Sequence, residues 1–165
     1  MFIRPKEDWM AIGIVSFIAL LVCTIAHAEV NEEQAIRGVI GESLTDYNSM
    51  LAIACAIRNR GTLDGVYGVN AVIDHNGQLV RVIKKKTGTI YEPISWEIYN
   101  MANKAWYVSG DHEELNGPYV DVVKGATHWL SDYDLKHCRP AMTNWRFKYI
   151  ETAYIGQTHF YKKRG

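Results

Sequence analysis

Glu42 is the first residue whose setting calls for chemistry. It follows Gly41, stands between two segments with helical apolar spacing, and lies at the edge of a near-continuous apolar environment. A carboxyl held against apolar surface has its charged form disfavoured. It can then keep a proton near neutral pH and serve as a general acid. The same spacing also suits a solvated glutamate in an inter-helix turn. A second constellation is Thr127-His128-Trp129, just after Gly125. A hydroxyl, an imidazole and an indole in a row could wall a groove, two by hydrogen bonds and one by stacking. A buried strand end with a satisfied histidine would carry the same residues. His159 reads as structural, because an alternating strand turns Thr158 and Phe160 the other way.

The elements that must position these groups can be read from spacing. Asn31 can cap a helix, with Gln34 at the capping-box position and Ala35, Ile36, Val39 and Ile40 at helical intervals. That helix ends at Gly41-Glu42-Ser43. A second begins near Thr45-Asp46 and runs through Tyr47, Met50, Leu51, Ala54, Cys55 and Ile57 to a stop at Gly61. It is apolar around most of its circumference, which marks a helix at the centre of a domain. Residues 71–83 predict a β-hairpin around Asn76-Gly77, and Lys84-Lys85-Lys86 a solvated turn. Ser95 caps a third helix that fades near Ser109-Gly110, with Trp96, Tyr99, Ala102 and Trp106, or Met101 and Ala105, on its buried side. Tyr119–Val123, Lys148–Ile155 and His159–Tyr161 read as short strands, the last two joined by Gly156-Gln157. The class is α+β: a helical core, a small β-hairpin region and short C-terminal strands.

The chain has 165 residues, 48% of them apolar, with 18 basic against 18 acidic side chains. That suits one domain and excludes a disordered chain. Zero net charge removes the basic field of a dedicated nucleic-acid binder. Residues 10–26 carry no charged side chain, follow Arg4 and Lys6, and lead into Ala26-His27-Ala28. A basic start, an apolar run and a small-x-small site describe a secretory signal peptide over residues 1–28. The run is shorter than the ~20 residues of a comfortable membrane span. The expected product is an exported domain over residues 29–165, or a membrane-anchored one if the segment is retained. That domain keeps all ten tyrosines and Trp96, Trp106, Trp129 and Trp145. Such side chains grip sugars and protein partners, or simply fill a small core.

Three stretches resemble a known family. Residues 35–60 (AIRGVIGESLTDYNSMLAIACAIRNR) are similar to the opening of the cell wall hydrolase family typified by the spore-cortex-lytic enzymes. That family carries Gly-Glu-Ala-Arg-Gly-Glu and then an apolar helix ending in Asn-Arg. Gly125-Ala-Thr-His-Trp129 is similar to its Gly-Ala-Thr-His plus aromatic. Ile155-Gly-Gln-Thr-His-Phe-Tyr161 is similar to its closing Ile-Gly-x-His-x-Phe-Tyr. The order is preserved over most of residues 33–162. The resemblance implies a lysozyme-like fold that cuts the β-1,4 bond between N-acetylmuramic acid and N-acetylglucosamine in peptidoglycan. It places the catalytic acid on Glu42 and the family's second glutamate at Asp46. Thr127, His128 and Trp129, with Tyr67, Tyr91 and Tyr119, become candidates for binding the sugar. Ser43-Leu44-Thr45 stands where the family has Ala-Arg-Gly, so a basic neighbour of the acid is missing. Residues 61–93, where family members place a groove-lining hairpin, match poorly.

Glycosidases usually employ two carboxylates, whereas a lytic transglycosylase needs one. Asp46, Asp64 and Asp74 are the candidates for a second, none at a persuasive place, which favours the transglycosylase over a hydrolysing muramidase. Two other readings stand beside it: a catalytically silent wall-binding or virion-associated module, and a membrane-tethered lysis protein. A cysteine peptidase would need Cys55 or Cys138 with His128 or His137. Cys55, mid-helix among apolar neighbours, lacks the cationic setting of a nucleophile. A Cys55–Cys138 disulfide suits an exported chain, and a buried free thiol suits the helix. No His-x-x-x-His, Cys-x-x-Cys or glycine-rich phosphate loop is present, so neither a metal nor a cofactor is expected. A neutral protein facing an anionic wall has to rely on aromatic and hydrogen-bonding grip, helped locally by Lys84–Lys86 and Lys162–Arg164.

Overall fold

The computed structural model describes residues 30–43, 46–110, 120–137 and 148–165. The expected signal segment 1–28, Tyr119 and Cys138 lie outside these residues. Helix α1 (Glu32–Glu42) starts where Asn31 Oδ1 accepts the Gln34 amide at 3.0 Å. Helix α2 (Tyr47–Arg60) starts where the Asp46 carboxylate accepts the Ser49 amide at 2.9 Å. It ends at Gly61, whose φ of 71° is the left-handed conformation that glycine adopts without strain. Every residue from Ser49 to Ile57 is buried, as the apolar circumference requires. Met50, Ile53 and Ile57 each contribute about 1.5–3 kcal/mol by leaving water. Around α2 pack α1, helix α4 (Trp96–Val108) and two strands of the C-terminal sheet.

A short helix α3 (Gly68–Ala71) leads into an antiparallel sheet β1-β2-β3 (Val72–His75, Gln78–Lys85, Gly88–Pro93). The β1–β2 turn is the expected Asn76-Gly77, with φ of 52° and 78°. Strand β2 runs on through Lys85, so the first two lysines belong to the ladder, and β3 pairs beside it. Strand β3 is exposed along its whole length. It therefore has no apolar alternation by which the sequence could announce it.

The C-terminal sheet has the order β4-β6-β5, from His128–Ser131, Thr158–Lys163 and Tyr149–Ile155. Strands β5 and β6 meet at the expected Gly156-Gln157 turn. A short helix α5 (Asp132–His137) follows β4 directly. The described fold is α+β, with a helical core, a hairpin-based sheet and short C-terminal strands.

Two expectations are corrected. Residues 120–125 form no strand. Asp121 accepts the amides of Val123 and Gly125 through its carboxylate at 3.0 and 2.6 Å, and Lys124 and Gly125 take positive φ. Local aspartate-to-backbone bonding outcompetes the β preference of the valines here. Trp96 is 74% exposed, stacked on Tyr99, while Ala102, Ala105 and Trp106 face the core. At 100° per residue Trp96 stands about 120° around the helix from Ala102, because steps of three drift off one face.

Candidate active site

Glu42 is the last residue of α1. The last turn is closed by Ser43, whose amide and hydroxyl both donate to the Val39 carbonyl, and by Arg81 of β2, whose Nη2 donates to the Ile40 carbonyl at 2.9 Å. A helix C-terminus offers no attraction to an anion. What holds the carboxylate comes from elsewhere in the chain. The Gly68 amide donates to Oε1 at 2.8 Å, and the Trp129 indole N–H donates to Oε2 at 3.1 Å. The surroundings expected to be apolar are thus a two-donor polar cradle.

Each donor is placed for a reason visible in the packing. Gly41 and Gly68 let the backbones of α1 and α3 touch. A Cβ on Gly41 would run into the Gly68 backbone, and one on Gly68 would stand 2.5 Å from the Gly38 carbonyl oxygen and 2.8 Å from the Glu42 amide nitrogen. Trp129 sits on β4 opposite Phe160, a fully buried core residue, and the Arg60 guanidinium lies 5.9 Å from its ring centre. The loop before β4 is tied to α2 by Asn59, whose amide donates to Asp121 Oδ2 and the Ala126 carbonyl, both at 3.2 Å. The Asn-Arg pair that ends α2 thereby positions the strand that carries Trp129.

Two cavities meet at Glu42. One, of about 430 Å³, is lined by Glu42, Arg60, Tyr67, His128, Trp129 and Asp134, among others. The other, of about 210 Å³, is lined by Glu42, Asp46, Ser49, Asp132, Tyr133 and Gln157, among others. Tyr67 is 84% exposed and stands at the rim of the larger one. The His128 imidazole shares a 2.8 Å hydrogen bond with Thr127 Oγ1 through Nδ1. Burial, and next the positive charge of Arg60, hold His128 below its ordinary pKa of 6.5. It is therefore a neutral hydrogen-bonding group at neutral pH.

Of the expected site residues, the structure brings Glu42, His128, Trp129 and Tyr67 to one cavity. Thr127 reaches it only through His128. Tyr91 does not line either cavity; it lies on β3 and stacks on His75 at 4.1 Å. Among the candidate second carboxylates, Asp46 lines the smaller cavity, but it is the α2 cap. The Ser49 side chain and amide beside it hold it below 3.8. Asp74 is paired with Arg37 at 2.6 Å, and Asp64 is exposed in a loop. His159 lies outside both cavities. Its Nε2 is 2.8 Å from Asp132, and its Nδ1 is 3.1 Å from Glu151, off the line of a hydrogen bond.

Three residues of the site escape the sequence reading. The Gly68 amide carries no side-chain signal. Arg60 sits within the Asn-Arg ending of α2, but nothing in the spacing aims it at the cavity. Asp134 does have a local signal: Ser131-x-x-Asp134 is a capping box.

Cys55 is a free, buried thiol donating to the Val120 carbonyl at 3.0 Å. Burial pushes its pKa up to about 11, which is the opposite of what a nucleophile needs. No group of three or more His, Cys, Asp or Glu among the described residues could hold a metal ion, and no helix among them is long and apolar enough to cross a membrane. No protein-family model, no curated protein and no solved structure matches the chain.

Proposed function

We propose that the chain is an exported enzyme of lysozyme-like architecture. In this reading it cleaves the β-1,4 bond between N-acetylmuramic acid and N-acetylglucosamine in peptidoglycan, with Glu42 as general acid and then base. The observation that carries this reading is the position of Glu42. It is a carboxyl at the junction of two cavities, fixed by two N–H donors, beside an indole, a phenol and a neutral imidazole. The three stretches similar to the cell wall hydrolase family fall on these same elements.

Oε1 stays on a backbone amide. Oε2 is held by the Trp129 indole N–H, and in this reading it carries the proton. Glu42 gives that proton to the glycosidic oxygen as the bond to the muramyl anomeric carbon breaks, and the substrate's acetamido group supports the cation. The carboxylate then takes the proton of the muramyl 6-hydroxyl, whose oxygen closes onto the anomeric carbon. One carboxyl serves both steps and leaves an anhydromuramyl end, the lytic transglycosylase outcome.

A second reading has its own observation. Both Glu42 oxygens already accept from protein donors, which suits a silent wall-binding module of the same fold. One assay separates them. The full-length chain in mild detergent is incubated with purified peptidoglycan, and soluble muropeptides are weighed by mass spectrometry. Catalysis predicts release by wild type and its loss in Glu42→Gln. Equal release by the two removes Glu42 as catalyst, and binding with no release favours the silent module. A secreted form that starts at Glu29 supports export.

A further inference from the structure

We propose that Asp134 is a second catalytic carboxylate of this site, the base that draws a proton from water so that the glycosidic bond is hydrolysed as well as closed into the anhydro ring. The proposal rests on the glycan-cleaving reading of Glu42. Asp134 lines the cavity of about 430 Å³ together with Glu42, Arg60, Tyr67 and His128. Its carboxylate is held in place: Oδ2 accepts the Ser131 amide at 3.2 Å and the Ser131 hydroxyl at 2.7 Å, while the Asp134 amide donates to Ser131 Oγ at 3.1 Å. This reciprocal capping box starts α5. It occupies Oδ2, and no donor of the described residues bonds Oδ1.

The cap explains a bonded Oδ2 but not a carboxylate that shares its cavity with a candidate acid. Strand β4 explains the second. Trp129 and Ser131 are two residues apart, so they leave the strand on one face. Trp129 fixes Glu42 and Ser131 fixes Asp134, and a single strand sets both carboxyls. Glycosidases in which a water enters between two carboxyls hold them about 6.5–9.5 Å apart, and Glu42 and Asp134 line one cavity of about 430 Å³. Arg60 lines the same cavity and brings a positive charge to it.

The step balances. Glu42 protonates the leaving oxygen as the bond to the anomeric carbon breaks. The water oxygen bonds that carbon while Asp134 Oδ1 takes one of its protons. The product has a reducing hydroxyl, Asp134 is protonated, Glu42 is ionised, and solvent returns the proton between them.

The full-length chain in mild detergent is given peptidoglycan in oxygen-18 water, and both kinds of glycan end are counted in one sample. Hydrolysed ends carry the heavy oxygen; anhydro ends are one water lighter and carry none. Asp134→Asn keeps an oxygen for the Ser131 cap. It should lower the ratio of hydrolysed to anhydro ends roughly a hundredfold, and Asp134→Glu should restore part of it. Partial unfolding would lower both ends together and leave the ratio alone. An unchanged ratio in Asp134→Asn, or a wild type that makes only anhydro ends, overturns the proposal and leaves the Glu42 reading intact. Release that survives Glu42→Gln, or no release by any variant, overturns the Glu42 reading and this proposal with it.

Discussion

Gly68→Ala is the sharpest perturbation of the site, because the contact it disturbs is backbone against backbone. The added methyl would lie 2.5 Å from the Gly38 carbonyl oxygen, 2.8 Å from the Glu42 amide nitrogen and 2.9 Å from Glu42 Cγ. None of the first two can rotate away, so α3 has to move off α1. Overpacking of this kind costs about 1–3 kcal/mol. The 2.8 Å bond from the Gly68 amide to Oε1 is stretched with it, and a hydrogen bond to a charged group is worth about 1.5–3 kcal/mol. The sum, about 2.5–6 kcal/mol, corresponds to a melting temperature lower by roughly 5–24 °C at the 2–4 °C per kcal/mol usual for chains of this length. Gly61→Ala is the control. Nothing lies within 4 Å of its Cβ, and only the φ of 71° is strained, a cost of about 1–2 kcal/mol. Gly41→Ala opens the same gap from the other side, so the double variant should lose less than the two singles added together. Thermal melts and peptidoglycan release are measured on the four variants and the wild type. If Gly68→Ala melts no lower than Gly61→Ala and releases glycan as wild type does, the close approach of α3 to α1 is not what holds Glu42.

Trp129→Phe keeps an aromatic ring and removes the N–H on Oε2; at about 1.5–3 kcal/mol for that bond, peptidoglycan release should fall roughly ten- to a hundredfold, with a melting temperature lower by roughly 3–12 °C. Arg58→Ala should lower stability by about 2–4 kcal/mol in urea titration, because Arg58 stacks 3.8 Å over Trp106 and donates to its carbonyl and to the buried Ser109 hydroxyl, pinning α4 to α2. Stability should also fall with acid in two windows. His128 is held below 6.5, so the unfolded chain takes up a proton first and stability is lost as pH drops below 6.5. Asp46 is held below 3.8, so its contribution is present above 3.8 and is lost as pH falls through its lower folded value. Urea midpoints across this range should show both slopes, and His128→Gln should flatten the first; an unchanged upper slope in that variant would remove His128 as its cause.

Local signals carried the elements they could describe. Asn31, Asp46 and Ser95 cap the three long helices as their residue types require. Asn76-Gly77 and Gly156-Gln157 make the two hairpin turns. Where a signal was absent or overruled, the reading failed for a physical reason. An exposed third strand has no alternation, Asp121 folds a valine-rich stretch into a turn, and α5 is too short to show a period.

The sequence by itself determined that α2 is buried, that a carboxyl stands at the end of α1, and that an aromatic follows His128. Each of these depends on neighbours a few residues away. Only the tertiary structure decided that Glu42 meets Gly68 and Trp129, 26 and 87 residues along the chain, that Tyr91 stays away, and that Asp134 shares its cavity. Those juxtapositions depend on two glycine backbones in contact and on one strand seated against Phe160. Packing of this kind acts between distant segments and leaves no periodic mark in the chain.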